Sequence, residues 1–108
     1  MLAKKYRVTK EGIEKATKLG KGPSLDFFYA KIIPNDFKNS RFAIIVNKKT
    51  KKTSVGRHLL KRRLWSVLDN ISKDKFKKQT DFVFLIKKVF KKEDLNKIKR
   101  QIEGVVLE

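Results

Sequence analysis

Apolar residues recur at three- and four-residue steps in three stretches of the chain, which predicts three amphipathic helices. With their expected caps, the helices span Thr9 to about Leu19, Ser54 to near Ser72, and Glu93 to about Val106. Gly20 and Gly22 are expected to end the first helix, and the Ser54 hydroxyl is the expected N-cap of the second. A polar connection is predicted at 73–80.

Three shorter stretches are rich in aromatic and β-branched residues. In a strand these residues would lie on both faces, which predicts that the strands are buried. They span Leu25–Ile33, Arg41–Asn47 and Asp81–Lys88. A turn signal at 34–36 predicts that the first two strands form an antiparallel pair, and the last two, joined through a helix, are predicted to be parallel neighbours. The order α-β-β-α-β-α predicts one α+β domain, 1–108, a sandwich in which helices pack on a small mixed sheet.

One pair of helices does not obviously cover both faces of three strands, so part of one face is expected to stay open. Aromatic residues of the strands then belong either to the core or to an exposed surface that stacks on nucleic-acid bases, and core is expected for most of them. These residues are Phe27, Phe28, Tyr29, Phe42, Phe82 and Phe84.

Charge is distributed unevenly along the chain. Its 108 residues include 29 Lys and Arg against 11 Asp and Glu, a net charge of +18. The segment between Asp36 and Asp69 has no acidic residue and ten cations: Lys38, Arg41, Lys48, Lys49, Lys51, Lys52, Arg57, Lys61, Arg62 and Arg63. Solvated helices normally mix the two signs of charge, so this segment indicates an anionic partner.

Helical spacing brings the cations of the second helix together. Arg57, Lys61 and Trp65 form one row at steps of four, and His58 and Arg62 form the adjacent row. Each like-charged pair at this spacing costs about 0.2–0.5 kcal/mol in an isolated helix. Like-charged neighbours that bring no local gain in stability are typical of a binding site. The pattern therefore favours a surface that binds a polyphosphate over an ordinary solvated surface.

The side-chain inventory argues against several other functions. The chain has no Cys and one His, and nothing near His58 in sequence supplies a nucleophile and an orienting carboxylate, so intrinsic catalysis is not expected. No apolar run is long enough to span a bilayer, and the basic start lacks the apolar stretch of a secretory signal. The lack of Cys makes the cytoplasm the expected compartment. Binding to a membrane surface is not expected, because the basic helix buries an ordinary core stripe and offers little beyond Trp65 and Leu59 to insert.

The segment RHLLKRRL at 57–64, preceded by NKK at 47–49, resembles the signature of the bacterial ribonuclease P protein subunit. That family shows a Ser-Lys-Lys strand end followed by a helix bearing Arg-Asn-x-x-Lys-Arg. The basic start MLAKKYR, the strand end PN at 34–35, RFA at 41–43 and DFV at 81–83 agree in order and spacing. The resemblance covers nearly the whole chain.

The resemblance implies that Arg57, Lys61, Arg62, Lys48 and Lys49 contact RNA. The charge pattern extends this expectation to Lys51, Lys52, His58 and Arg63, and Trp65, in the row of Arg57 and Lys61, is expected to stack on a base. It also implies a cleft between the sheet and the first helix that holds a single-stranded RNA leader, for which the candidates here are Arg7, Ile13, Phe27 and Tyr29. His58 stands where the family usually has Asn, Leu59 and Trp65 where it often has Arg, and Ile13 and Thr17 where it usually has aromatic residues.

The fold implied is that of the second domain of a small-subunit ribosomal protein, with a left-handed β-α-β crossover. The function implied is that of a ribonuclease P subunit, a monomer in the holoenzyme, that binds the RNA subunit and precursor tRNA. Mg²⁺-dependent removal of the 5′ leader would then belong to the RNA subunit, with no cofactor held by the protein. The alternative is a ribosomal or other structural RNA-binding protein with no processing role.

Overall fold

The computed structural model of the chain describes residues 6–71 and 75–107. Residues 1–5 of the predicted basic start, 1–7, and part of the polar connection lie outside them. Three helices, α1 (Lys10–Leu19), α2 (Ser54–Asp69) and α3 (Leu95–Val106), accompany three strands, β1 (Phe28–Pro34), β2 (Arg41–Val46) and β3 (Thr80–Ile86). A short 3-10 turn, Lys92–Asp94, leads into α3. The predicted α+β class and order of elements are confirmed.

Capping residues set where the first two helices begin. The Thr9 hydroxyl accepts a hydrogen bond from the Gly12 amide at 3.2 Å, as predicted. The prediction of Ser54 as the second cap is wrong, because the Thr53 hydroxyl accepts from the Gly56 amide at 3.1 Å and Ser54 is the first helical residue. Helix α2 also ends three residues before the predicted Ser72.

The sheet has the strand order β1-β3-β2, with β3 antiparallel to β1 and parallel to β2. The predicted parallel neighbours are confirmed, whereas the predicted pairing of β1 with β2 is wrong: these strands run in opposite directions but β3 lies between them. Neighbouring strands lie about 4.8 Å apart, so the six residues 35–40 easily cross over the end of β3. Pro34 and the charged Lys31 suit β1 to an edge, and the wholly apolar centre of β3 suits it to the middle.

The larger core lies between one face of the sheet and helices α2 and α3. It buries the strand residues Phe28, Phe42, Phe82 and Phe84 completely, together with Leu64, Leu68, Ile98 and Ile102 of the helices. The rings of Phe42 and Phe82 stack with centroids 5.4 Å apart. Of the two roles open to these aromatic residues, the structure therefore assigns core to Phe28, Phe42, Phe82 and Phe84.

A smaller core lies on the opposite face, where α1 packs across one end of the sheet. Val8, Ala16, Ala43 and Val83 form it, and the half-buried Ile13, Ile33, Ile45 and Leu85 pack against its edge. Helix α1 does not cover the other end of this face, so the expected open area of sheet is present. The hand of the β2-α2-β3 crossover stays a prediction from the resemblance.

Candidate nucleic-acid interface

The loop between β2 and α2 presents its lysines from a hydrogen-bonded turn. The Asn47 side-chain oxygen accepts from the Thr50 amide at 3.0 Å, and the Thr50 hydroxyl donates to the Ile86 carbonyl of β3 at 3.1 Å. Lys48, Lys49 and Lys52 are exposed on this turn. Because the turn is tied to the end of the sheet, the backbone that carries these lysines is held in place.

Arg57 joins this loop to helix α2. One guanidinium nitrogen donates to the carbonyls of Lys51 and Lys52, at 3.0 and 2.8 Å. Gly56 allows the loop side chains to pack closely on the start of α2, since a Cβ there would lie 2.7 Å from the Thr53 hydroxyl oxygen and 2.8 Å from Cγ of Lys51. Arg57 is therefore a half-buried residue that positions two lysines while adding its own charge.

The exposed side of α2 continues the cationic surface. His58 and Arg62 are exposed and line a shallow groove with Val55 and Leu59, and Lys61 is half-buried beside them. We call these loop and helix residues the basic surface: Lys48, Lys49, Lys51, Lys52, Arg57, His58, Lys61 and Arg62. Within residues 6–71 and 75–107 the ion pairs are Arg41–Asp81 and Lys97–Asp26, and neither includes a member of the basic surface.

Two residues expected to contact RNA lie elsewhere. Trp65 is 7% exposed and belongs to the larger core, so the expectation that it stacks on a base is wrong. Arg63 lies in the groove between α2 and α3, where it donates to the Phe90 carbonyl at 3.0 Å. The rotation of 100° per residue along a helix separates Arg63 from Arg62, which adjacency in sequence obscures.

Arg41, one of the ten cations of the acid-free segment, is buried in an ion pair and does not belong to the basic surface. Its guanidinium makes two hydrogen bonds to the Asp81 carboxylate, at 2.8 and 2.6 Å, and the residue is 8% exposed. The acid-free segment is thus neutralised at this position by a distant carboxylate of the same chain. Spacing along the chain could not show this, because the partners are separated by 40 residues.

The uncovered area of sheet forms a second candidate site. Tyr29, Leu85 and Ile45 lie in one row across the three strands, directly paired in register. Lys49 and Lys87 stand at its edge, and the Lys87 ammonium lies 4.5 Å from the centre of the Tyr29 ring. Because Lys49 belongs to both places, the basic surface and this open face are continuous.

The four predicted cleft residues separate in the structure. Tyr29 is on the open face, and Ile13 is on the same face of the sheet within the smaller core. Phe27 was wrongly placed, since its ring packs edge-on against Phe90 at 6.2 Å on the side of the larger core. Arg7 pairs by its backbone with Phe42 at the outer edge of β2.

Sequence reasoning missed Leu85, Ile45 and Lys87 as members of this face. Strict alternation along the strands would have indicated Leu85 and Ile45, because residues two apart share a face and α1 is too short to cover the whole face.

The chemistry available here is that of binding. The side chains of both sites offer positive charge, hydrogen-bond donors, an aromatic ring and an apolar row. In the described part of the chain no three His, Cys, Asp or Glu side chains are placed to hold a metal ion. No helix among those residues is long and apolar enough to cross a membrane.

A family model and several solved structures match this chain. The family model described as Ribonuclease P matches residues 2–108. No curated protein sequence matches. Solved structures match over most of the chain. The ribonuclease P protein from Thermotoga maritima has a TM-score of 0.72 at 18% identity, covering 93% of this chain and 94% of its own.

A Staphylococcus aureus ribonuclease P protein, a mutant with defective mRNA degradation activity, has a TM-score of 0.77 at 22% identity and covers 94% of this chain and 86% of its own. At these identities the structural likeness establishes the fold. The family model spans nearly the whole sequence and establishes more: the chain belongs to the ribonuclease P family.

Proposed function

We propose that the chain is the protein subunit of ribonuclease P, that its basic surface binds the RNA subunit, and that its open sheet face holds the 5′ leader of precursor tRNA. The observation that carries the proposal is the basic surface itself: seven Lys and Arg residues and His58 converge from one loop and one helix, without a paired carboxylate among the described residues. RNA phosphates would supply the missing negative charge.

The physical basis of binding is counterion release. Each phosphate that a Lys or Arg neutralises lowers the slope of log affinity against log salt by roughly 0.7–0.9. The net charge of +18 adds long-range attraction between the chain and any RNA. Affinity should therefore fall steeply as salt is raised.

The open face suits a single-stranded leader of varied sequence. Tyr29 is 45% exposed, so the part of its ring that the Lys87 ammonium does not cover could stack on a base, and the apolar Leu85 and Ile45 continue the platform. Every base has a face that can stack, so such a platform tolerates many sequences. Lys49 and Lys87 at its edge would hold the phosphates.

The hydrolysis itself we assign to the RNA subunit with its Mg²⁺ ions, as membership of the ribonuclease P family implies. The role of the chain is to bind and position RNA, in the cytoplasm where precursor tRNA is processed. The family makes the alternative, a structural RNA-binding protein with no processing role, the less favoured reading.

Reconstitution tests this proposal. The chain is added to a ribonuclease P RNA at an Mg²⁺ concentration too low for the RNA alone, and we expect cleavage at the mature 5′ end to be restored. RNA binding without restored cleavage would favour the structural alternative, and cleavage by the chain without RNA would indicate an intrinsic nuclease.

A matched pair of variants tests the basic surface. Arg57→Ala with Arg62→Ala should weaken binding to the RNA subunit and raise the precursor concentration that the holoenzyme needs. Lys99→Ala with Arg100→Ala removes the same charge from exposed positions of α3 and should have a much smaller effect. Unchanged affinity and turnover of the first pair at near-physiological salt would refute the assignment.

A further inference from the structure

The connection between β1 and β2 carries an exposed aromatic ring, Phe37, that the proposed function does not use. Phe37 is 52% exposed. It precedes the first residue of β2, whereas the lysine loop follows the last one, so the two lie at opposite ends of that strand. Helix α1 crosses the sheet near the Phe37 end and leaves the Tyr29 end open. Phe37 is therefore outside both candidate sites described above.

The chain holds this ring in a fixed position. The Asn35 side-chain oxygen accepts from the Phe37 amide at 2.9 Å, and the Asn35 amide group donates to Asp81 at 2.7 Å. Asp81 in turn fixes the Arg41 guanidinium, whose central carbon lies 4.1 Å from the centre of the Phe37 ring. A side chain that is ordered before binding loses less entropy when a ligand arrives.

The groove beside the ring suits one nucleotide. Its volume is about 530 Å³, within the roughly 300–1,000 Å³ of typical ligand sites. Its lining includes Phe37, Lys38, Asn39, Thr9 and Arg7, and no acidic residue. The neighbouring Asp36 is exposed and does not line it.

We propose that this groove binds one unpaired nucleotide of an RNA strand, with its base stacked on Phe37 and its phosphate beside Lys38. The Arg41 guanidinium covers one face of the ring, with its central carbon 4.1 Å from the ring centre, so the base would stack on the other face. The Asn39 and Thr9 side chains offer hydrogen-bonding groups to the sugar or the base edge. The choice of RNA as ligand rests on the proposed function, and the stacking itself rests on the geometry of Phe37.

Binding of a short unstructured oligouridine and of an abasic strand of the same length tests the site in the full chain. Phe37→Ala should weaken oligouridine binding by about 5- to 150-fold, the range for loss of one stacked base. It should leave abasic-strand binding unchanged, because that strand keeps the phosphates and has no base to stack. Phe37→Leu should weaken oligouridine binding as Phe37→Ala does. Phe37→Trp keeps an aromatic ring and should bind oligouridine about as tightly as the wild type. Equal oligouridine affinity of wild type, Phe37→Ala and Phe37→Leu would overturn the proposal.

Cross-linking in the reconstituted holoenzyme then identifies the strand. 4-Thiouridine is placed in the unpaired segments of either the precursor or the RNA subunit, and a cross-link to Phe37 is expected from one of them. No cross-link from either would overturn the proposal. If the chain restores cleavage but Phe37→Ala binds oligouridine as tightly as wild type, this inference fails and the proposed function stands. If oligouridine binding depends on the ring but the chain does not restore cleavage, the proposed function fails and this inference stands.

Discussion

Arg41 and Asp81 form a buried ion pair between the neighbouring parallel strands β2 and β3. They are directly opposite in register, and the carboxylate accepts from Nε at 2.8 Å and from a terminal nitrogen at 2.6 Å. Their side chains are 10% and 5% exposed. The pair fixes the start of both strands, and through Asn35 it also fixes the β1–β2 connection.

Removing one partner of this pair should destabilise the fold strongly. Arg41→Met or Asp81→Leu alone should lower the free energy of unfolding by about 3–5 kcal/mol, because each leaves a buried charge without its counter-charge. The double variant should cost less than the sum of the two. Urea unfolding of the wild type, the two single variants and the double variant measures the coupling energy between the two residues. Losses below about 1 kcal/mol in both single variants would contradict the prediction.

The start of α2 provides a second test. Thr53→Ala should lower the free energy of unfolding by about 1 kcal/mol, because it removes the hydroxyl that accepts from the Gly56 amide. Ser54→Ala is the matched control. Ser54 is exposed at the first helical position and should tolerate the change. The opposite order of effects in denaturant unfolding would show that Ser54 is the cap.

Local pattern was sufficient to predict the elements, because helices and strands are set mainly by the spacing of apolar residues. It failed on the neighbour of β1, since a turn signal such as that at Pro34 shows where a strand ends and not which strand lies beside it. The edge signals in β1, Lys31 and Pro34, were in the sequence. They exclude a central position but do not choose between β2 and β3 as partner.

The site was predictable to a similar degree. The lysine loop and the first turns of α2 are contiguous in sequence, so Arg57 and Arg62 could be placed on one surface. Trp65 was misplaced because it shares a row with Arg57 and Lys61 while also lying beside the apolar Leu64 and Leu68. Only three-dimensional packing decides on which side of that boundary the indole falls, and here it falls in the core.

Trp65 is the one tryptophan of the chain, so its fluorescence reports directly on this burial. The folded protein should show blue-shifted emission and weak quenching by acrylamide, and unfolding should reverse both. Trp65→Ala should cost about 3–5 kcal/mol of stability, as for other large aromatic side chains removed from a core. Strong quenching in the folded state, relieved when RNA binds, would instead place the ring on the RNA-binding surface.

Asp26 and Lys97 form an exposed pair with a pH signature. The Lys97 ammonium, 2.5 Å from the carboxylate, lowers the pKa of Asp26 below its ordinary value by hydrogen bonding and by charge attraction. A folded-state pKa below the unfolded one gives stability that is present above the unfolded value and lost as pH falls through the folded value. The contribution should be small and sensitive to salt, because both groups are exposed.

Titration of the Asp26 carboxyl by NMR measures this effect. Lys97→Ala should raise the pKa of Asp26 toward its ordinary value, and Arg100→Ala, one turn nearby on α3, should leave it unchanged. An Asp26 pKa that does not respond to Lys97→Ala would show that the pair does not form in solution.

Arg62 and Arg63 are adjacent on α2, yet they should respond differently to substitution. Arg62 is exposed on the basic surface, so Arg62→Ala should remove about one phosphate contact and reduce the salt slope of RNA-subunit binding by about one. Arg63 donates to the Phe90 carbonyl, so Arg63→Ala should lower the free energy of unfolding and leave the slope nearly unchanged. Both variants lose one positive charge from the same helix. Measuring RNA-subunit affinity of the folded proteins at several salt concentrations therefore separates the effect of the position of the charge from that of the net charge. Equal slopes for the two would mean that RNA responds to the overall charge of the chain, and the assignment of a defined basic surface would fail.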